Sequence, residues 1–218
     1  MTAPRAPDPP PHVPAQKLVA TLAFSGAVAG FLIVVAYSWA APIIERNKAE
    51  ALRAAIGDVL KHPEACDTLY VVDRSLTLTP PAGADPKKLE RVYLGYGPDH
   101  QRIGFAIAAG EPGFADIVRV IFGYDPATKQ ILGMRVIESK ETPGLGDKIE
   151  KDSAFVRQFR GALTPLLGVK VGRRQAGDQH QVDMITGATI SSRVVIRIIN
   201  NALARLGPVI ENYSAEPK

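Results

Sequence analysis

Residues 116–138 read DIVRVIFGYDPATKQILGMRVIE. Two apolar runs, 116–124 and 130–138, flank Asp125, Pro126, Ala127 and Thr128, residue types that favour a turn, so the stretch predicts a β-hairpin. On the first arm Ile117, Arg119 and Ile121 alternate with Val118, Val120 and Phe122. Both faces are therefore partly apolar, which predicts a central strand rather than a half-solvated one.

Toward the N-terminus, further β-type runs at 69–72, 76–79, 91–96 and 103–108 are separated by turn-forming stretches at 80–85 and 97–100. Toward the C-terminus the period changes. Residues 152–161 predict a short helix capped by Asp152 or Ser153, with Phe155, Val156 and Phe159 turned inward. Residues 189–206 predict a long amphipathic helix whose stripe comprises Ile190, Val194, Val195, Ile198, Ile199, Ala202, Leu203 and Leu206. Strands followed by helices, without βαβ alternation, give an α+β domain with an antiparallel-rich sheet and packed helices.

Ahead of that domain, residues 18–41 carry no charge at all, bounded by Lys17 on one side and by Glu45 and Arg46 on the other. As a helix the run is about 36 Å long at ~1.5 Å per residue, enough to cross a ~30 Å hydrocarbon core. Tyr37 and Trp39 stand near its end, where interfacial aromatics are expected. A cleaved signal peptide has a shorter apolar core, of ~7–15 residues, so a retained single span is the better reading. Arg5 and Lys17 before it are answered by Arg46, Lys48 and Arg53 after it, a count that slightly favours the large domain inside the cell; long domains translocate largely regardless of flanking charge, so the count does not fix the orientation. Helical periodicity continues through Leu52, Ile56, Val59 and Leu60, a stalk that packs on the domain beyond. The expected organisation is a Pro-rich disordered tail at 1–16, an anchor at 17–44, a helical stalk at 45–62, the domain at 63–210 and a tail at 211–218.

Composition sets the outer limits. The 218 residues suit one domain with appendages. A net charge of +4, spread along the chain, argues against a nucleic-acid partner, which needs a clustered basic face. The single cysteine, Cys66, and four scattered histidines offer no disulfide and no metal site.

Two turns hold residue types suited to chemistry. At 183–192, DMITGATISS runs straight into the last helix, presenting Thr186, Thr189, Ser191 and Ser192 beside free N–H groups whose dipole favours an anion. Gly187 and Ala188 keep that approach open. An ordinary helix cap is the plainer account of the same residues. At 141–148, ETPGLGDK holds Leu145 out between Gly144 and Gly146 on a shaped loop that can pack on a flat ring, or that merely connects a strand to a helix. No Walker or dinucleotide fingerprint is present.

The run Asp183-x-x-Thr186-Gly187-Ala188-Thr189 resembles the flavinylation motif of FMN-binding domains, and residues 141–150, ETPGLGDKIE, look like the loop of the G subunit of the Rnf electron-transport complex. The resemblance spans residues 17–206 or so, with both motifs in order. Thr186 stands where many relatives have serine, and the proline tail lies outside the pattern. The C subunit of the sodium-pumping quinone reductase is similar, but Asp147-Lys148-Ile149-Glu150 fits the Rnf version better.

What the resemblance implies is a membrane-anchored electron-transfer subunit whose 63–210 domain carries FMN covalently, as a phosphoester on Thr189. Its implied cofactor-binding set is Thr189, Thr186, Gly187, Ala188, Asp183, Ser191, Ser192, Glu141, Thr142, Gly144, Leu145 and Gly146, with no catalytic side chain and no metal. The implied partners are the other subunits of an ion-translocating ferredoxin:NAD+ oxidoreductase, a flavin transferase that attaches the FMN, and membrane lipid; enzyme activity belongs to the complex. The implied location is the bacterial inner membrane, single-pass, with the FMN domain on the periplasmic side. The alternatives are an FMN subunit of another respiratory chain, or an anchored interaction domain without cofactor.

Overall fold

The computed structural model describes residues 14–86 and 88–213. Most of the Pro-rich tail, and residues 214–218, lie outside these. Helix α1 spans Ala15–Val59 and contains Pro42. The chain divides into two compact units at Ala49/Glu50, so the last turns of α1 belong to the globular unit. The first unit holds the apolar run, with a mean hydropathy of 2.4 over its best window and no part of that window buried, as a membrane span requires.

Among the described residues of the globular unit eight strands follow: β1 (Ala65–Val72), β2 (Ser75–Thr77), β3 (Arg91–Tyr96), β4 (Arg102–Pro112), β5 (Ile117–Asp125), β6 (Gln130–Glu138), β7 (Leu167–Lys170) and β8 (Gln181–Met184). The first six form one antiparallel sheet in the order β2-β1-β3-β4-β5-β6. The hairpin forms as expected. Asp125 accepts the N–H of Ala127 at 2.9 Å and the hydroxyl of Thr128 at 2.7 Å, which closes the turn between β5 and β6.

The two apolar faces of β5 also prove real. Val118, Val120 and Phe122 join the main core beneath α4 (Thr189–Glu211), while Ile121 faces Ala55, Ile56, Val59 and Leu60 at the end of α1. The sheet is thus covered by a helix on each side. Gly123 and Gly133, paired across β5 and β6, leave the room that Val59 occupies; a methyl group on Gly133 would lie 3.3 Å from the Val59 Cα.

Helix α4 is rich in β-branched residues, poor helix formers on their own. Its stripe overrides that preference, because each fully buried Val, Ile or Leu is worth roughly 1.5–3 kcal/mol. Every expected stripe residue is buried except Ile190, which is 52 % exposed. Between β6 and β7 in the chain come α2 (Lys148–Lys151) and α3 (Ser153–Arg157), which pack against β6; Asp152 caps α3 by accepting the N–H groups of Ala154 and Phe155 at 2.9 and 3.3 Å. The parallel pair β7-β8 is an addition that the sequence did not suggest.

Candidate functional site

Strand β8 delivers the chain to the start of α4, and its path is pinned by a side chain. The amide of Gln158 accepts the N–H of Asp183 at 2.8 Å and donates to the Asp183 carbonyl at 3.3 Å, standing in for a neighbouring strand. The turn that follows is tied by Ser192, whose buried hydroxyl accepts the N–H of Ile185 at 3.1 Å and donates to the Ala188 carbonyl at 2.9 Å. Gly187 sits in the turn at φ +82°, the left-handed region that glycine enters without steric cost. Ala188 is the N-cap of α4 and offers no side-chain acceptor. Among the described residues nothing binds the N–H groups of Thr189, Ile190 and Ser191, so this helix start presents an unfilled donor set.

The 141–148 loop is locked against that helix start by Glu141. One carboxylate oxygen accepts the N–H groups of Phe114 and Ala115 at 2.8 and 3.1 Å; the other accepts the Ser191 hydroxyl at 2.7 Å. Burial pushes this carboxyl up, but the hydrogen bonds from Ser191 and from the backbone of residues 114–116 outweigh it and hold the group below the ordinary glutamate range. Gly146 permits the approach, since a Cβ there would lie 2.6 Å from the Glu141 carboxylate and 3.0 Å from the Ser191 oxygen. Asp147 pairs with Lys151 at 2.7 Å, and that hydrogen bond lowers its carboxyl.

Between loop and helix lies an open cleft of about 360 Å³. Its floor and walls come from Glu141, Thr142 and Gly146 on the loop and from Gly187, Ala188, Thr189 and Ser191 at the helix start. Its rim is apolar: Phe114, Leu145 and Ile190 line it while being 68 %, 51 % and 52 % exposed. Thr189 is half-buried inside.

The two motifs, more than 40 positions apart, therefore meet at one place. Some of the expected residues do not line the cleft. Ser192 is buried and serves the turn; Gly144 stands at the loop crest with φ +77°. Asp183 and Thr186 line a different hollow, beside Lys148, Lys151 and Phe155, where one Asp183 carboxylate oxygen is buried without a hydrogen-bond partner among the described residues. Sequence reasoning missed Phe114, the outward turn of Ile190, and Gly113, where a Cβ would collide with the Glu141 carboxylate. The Gly113-Phe114 pair in a strand connection is the only signal that was available for those two residues.

Residues 113–204 match the model of the FMN-binding domain family. The chain is similar to the G subunit of the ion-translocating oxidoreductase complex of Erwinia tasmaniensis, at 30 % identity over 90 % of each chain. This chain belongs to that G-subunit family. It is also 25 % identical to the corresponding protein of Methanosarcina acetivorans, over 86 % of this chain and 92 % of that one. In fold it resembles NqrC of Shewanella oneidensis, with a TM-score of 0.62 and 17 % identity over 77 % of this chain and all of the other. The C subunit of the Na+-translocating NADH-quinone reductase from Parabacteroides distasonis matches with a TM-score of 0.53 and 22 % identity, over 70 % and 80 % of the two chains.

The matched region covers both the 141–148 loop and the start of α4. Its cleft has the parts an FMN needs: an uncapped helix N-terminus for the phosphate and an exposed apolar rim for the ring. With its apolar helix, the family member is membrane-anchored.

Proposed function

We propose that this chain is the membrane-anchored electron-transfer subunit of an Rnf-type ion-translocating oxidoreductase, and that it carries FMN esterified to Thr189. The observation that carries the proposal is the cleft itself. Thr189 lies at the unfilled start of α4, facing the loop that Glu141 draws in, with three exposed apolar side chains around it.

Threonine is too weak a nucleophile to react unaided, so attachment belongs to a flavin transferase acting on FAD and Mg2+. In that step the Thr189 oxygen gains the FMN phosphoryl group, the FAD pyrophosphate bond breaks, AMP leaves, and the hydroxyl proton passes to a base on the transferase. The N–H groups of Thr189, Ile190 and Ser191 would then hold the phosphodiester and stabilise its charge. Phe114, Leu145 and Ile190 would border the ring, and a bound flavin would supply the redox chemistry. Asp183 and Thr186, outside the cleft, serve recognition by the transferase. A covalent tether keeps the acceptor in place, which suits a domain on the extracytoplasmic side of the membrane, exchanging electrons with other subunits of the complex.

Co-expression with a flavin transferase tests this. The denatured wild type should show a fluorescent band and an intact mass increased by one FMN; Thr189→Ala should show neither, and Thr189→Ser should keep both. A colourless wild type of unmodified mass overturns the proposal. A reporter fused after Lys218 tests the topology, and a cytoplasmic signal overturns the placement.

A further inference from the structure

Among the described residues that line the cleft, Glu141 is the one that bears a charge. It is 5 % exposed, and all its partners are neutral: backbone N–H groups of residues 114–116 and the Ser191 hydroxyl. Its sequence neighbour Lys140 is engaged with Asp116 at 2.9 Å. A carboxylate held by dipoles, without a cation beside it, keeps its charge, and its own burial leaves that charge less screened than one at the surface.

From this we infer that Glu141 is a potential-setting residue: its fixed negative charge lowers the reduction potential of the flavin in the cleft, in addition to tying the loop to α4. The inference rests on FMN occupying this cleft. Two-electron reduction of a flavin at neutral pH takes up two electrons and one proton, and so leaves one more negative charge beside the carboxylate. That charge–charge penalty falls on the reduced form alone, which moves the equilibrium toward electron donation.

A purely structural role for Glu141 makes a different prediction, and two variants separate them. Ser191→Ala removes the Glu141–Ser191 hydrogen bond and Glu141→Gln reverses it, since the amide N–H2 in the second oxygen's place donates to the Ser191 hydroxyl; any loosening of the loop by these changes moves both potentials in the same direction. Electrostatics moves them apart. Glu141→Gln removes the charge and raises the potential; Ser191→Ala keeps the charge, removes one dipole that offsets it, and lowers the potential.

The measurement is a spectroelectrochemical titration of the full-length flavinylated protein in detergent, with dithionite as reductant, after intact mass has confirmed one FMN per chain. The expected result is an upward shift of about 30 mV in Glu141→Gln, tenfold in the two-electron equilibrium, and a downward shift in Ser191→Ala. A Glu141→Gln potential at or below wild type, or a joint upward shift of both variants, overturns the inference. Should Glu141→Gln take up no flavin, Ser191→Ala decides alone: a lower potential supports the inference, and an unchanged or higher one overturns it. A wild type of unmodified mass removes the underlying reading as well, which the mass reveals before any titration.

Discussion

Gln158, the residue that closes α3, grips Asp183 by both backbone polar groups, at 2.8 and 3.3 Å, although the two residues are 25 positions apart. The bond pair sets the exit of β8 and thereby the place where the turn to α4 begins. Gln158→Leu keeps the approximate volume but leaves the N–H and carbonyl of Asp183 without this partner. A loss of about 1–3 kcal/mol is expected, read from urea denaturation of the soluble domain or from the melting temperature of the whole protein in detergent. An unchanged midpoint would mean that water replaces the amide at no cost.

Gly146 and Gly144 should respond differently to the same substitution. At Gly146 the added methyl meets the Glu141 carboxylate at 2.6 Å and its Cβ at 2.7 Å, so Gly146→Ala forces the loop away from α4. Such overpacking costs roughly 1–3 kcal/mol, and the opened cleft should give poorer flavin labelling. At Gly144 the space is free and only the positive φ objects, so Gly144→Ala should cost about 1 kcal/mol and label normally. Equal labelling of the two variants would show that loop closure does not matter for attachment.

At Gly187 the obstacle is the backbone angle and not crowding, because a Cβ there meets only the Leu145 side chain, at 3.9 Å. That separates two substitutions of similar size. Gly187→Asn should label well, since asparagine tolerates the left-handed region, whereas Gly187→Val should label poorly or not at all. In-gel fluorescence at matched expression decides, and equal bands would show that the turn adopts another conformation when the transferase acts.

How much of this was legible in the sequence depended on whether the signal was local. The β5-β6 hairpin and the α4 stripe were readable because Asp125, Pro126 and Thr128 mark a turn, and because the Val and Ile spacing in α4 follows one helical face. The β7-β8 pair was not, since its four-residue strands contain Gly168 and are mostly exposed in β7, leaving no alternation to count. The cleft was half legible. Both motifs stood out by composition, but their meeting depends on the Glu141–Ser191 bond, a contact across 50 positions. Ile190 fits the apolar stripe by spacing, yet at the first turn of α4 the face that it occupies looks over the cleft and not into the core.

Acid should act on this domain partly through Glu141. Its carboxyl is held below the ordinary glutamate value of about 4.3 in the folded chain, so the unfolded chain binds its proton first as pH falls. The stabilisation is therefore fully present above that ordinary value and disappears as pH drops through the lower, folded one. Glu141→Gln cannot titrate. Compared with wild type, the variant should be less stable at neutral pH, where it forfeits the charged hydrogen bonds, and the gap should narrow below about pH 4. Urea midpoints of the flavin-free domain at a series of pH values measure this without any contribution from the cofactor. A gap that stays constant across the acid range would mean that Glu141 titrates alike in both states, and that its bonds to Ser191, Phe114 and Ala115 hold the neutral acid as well as the carboxylate.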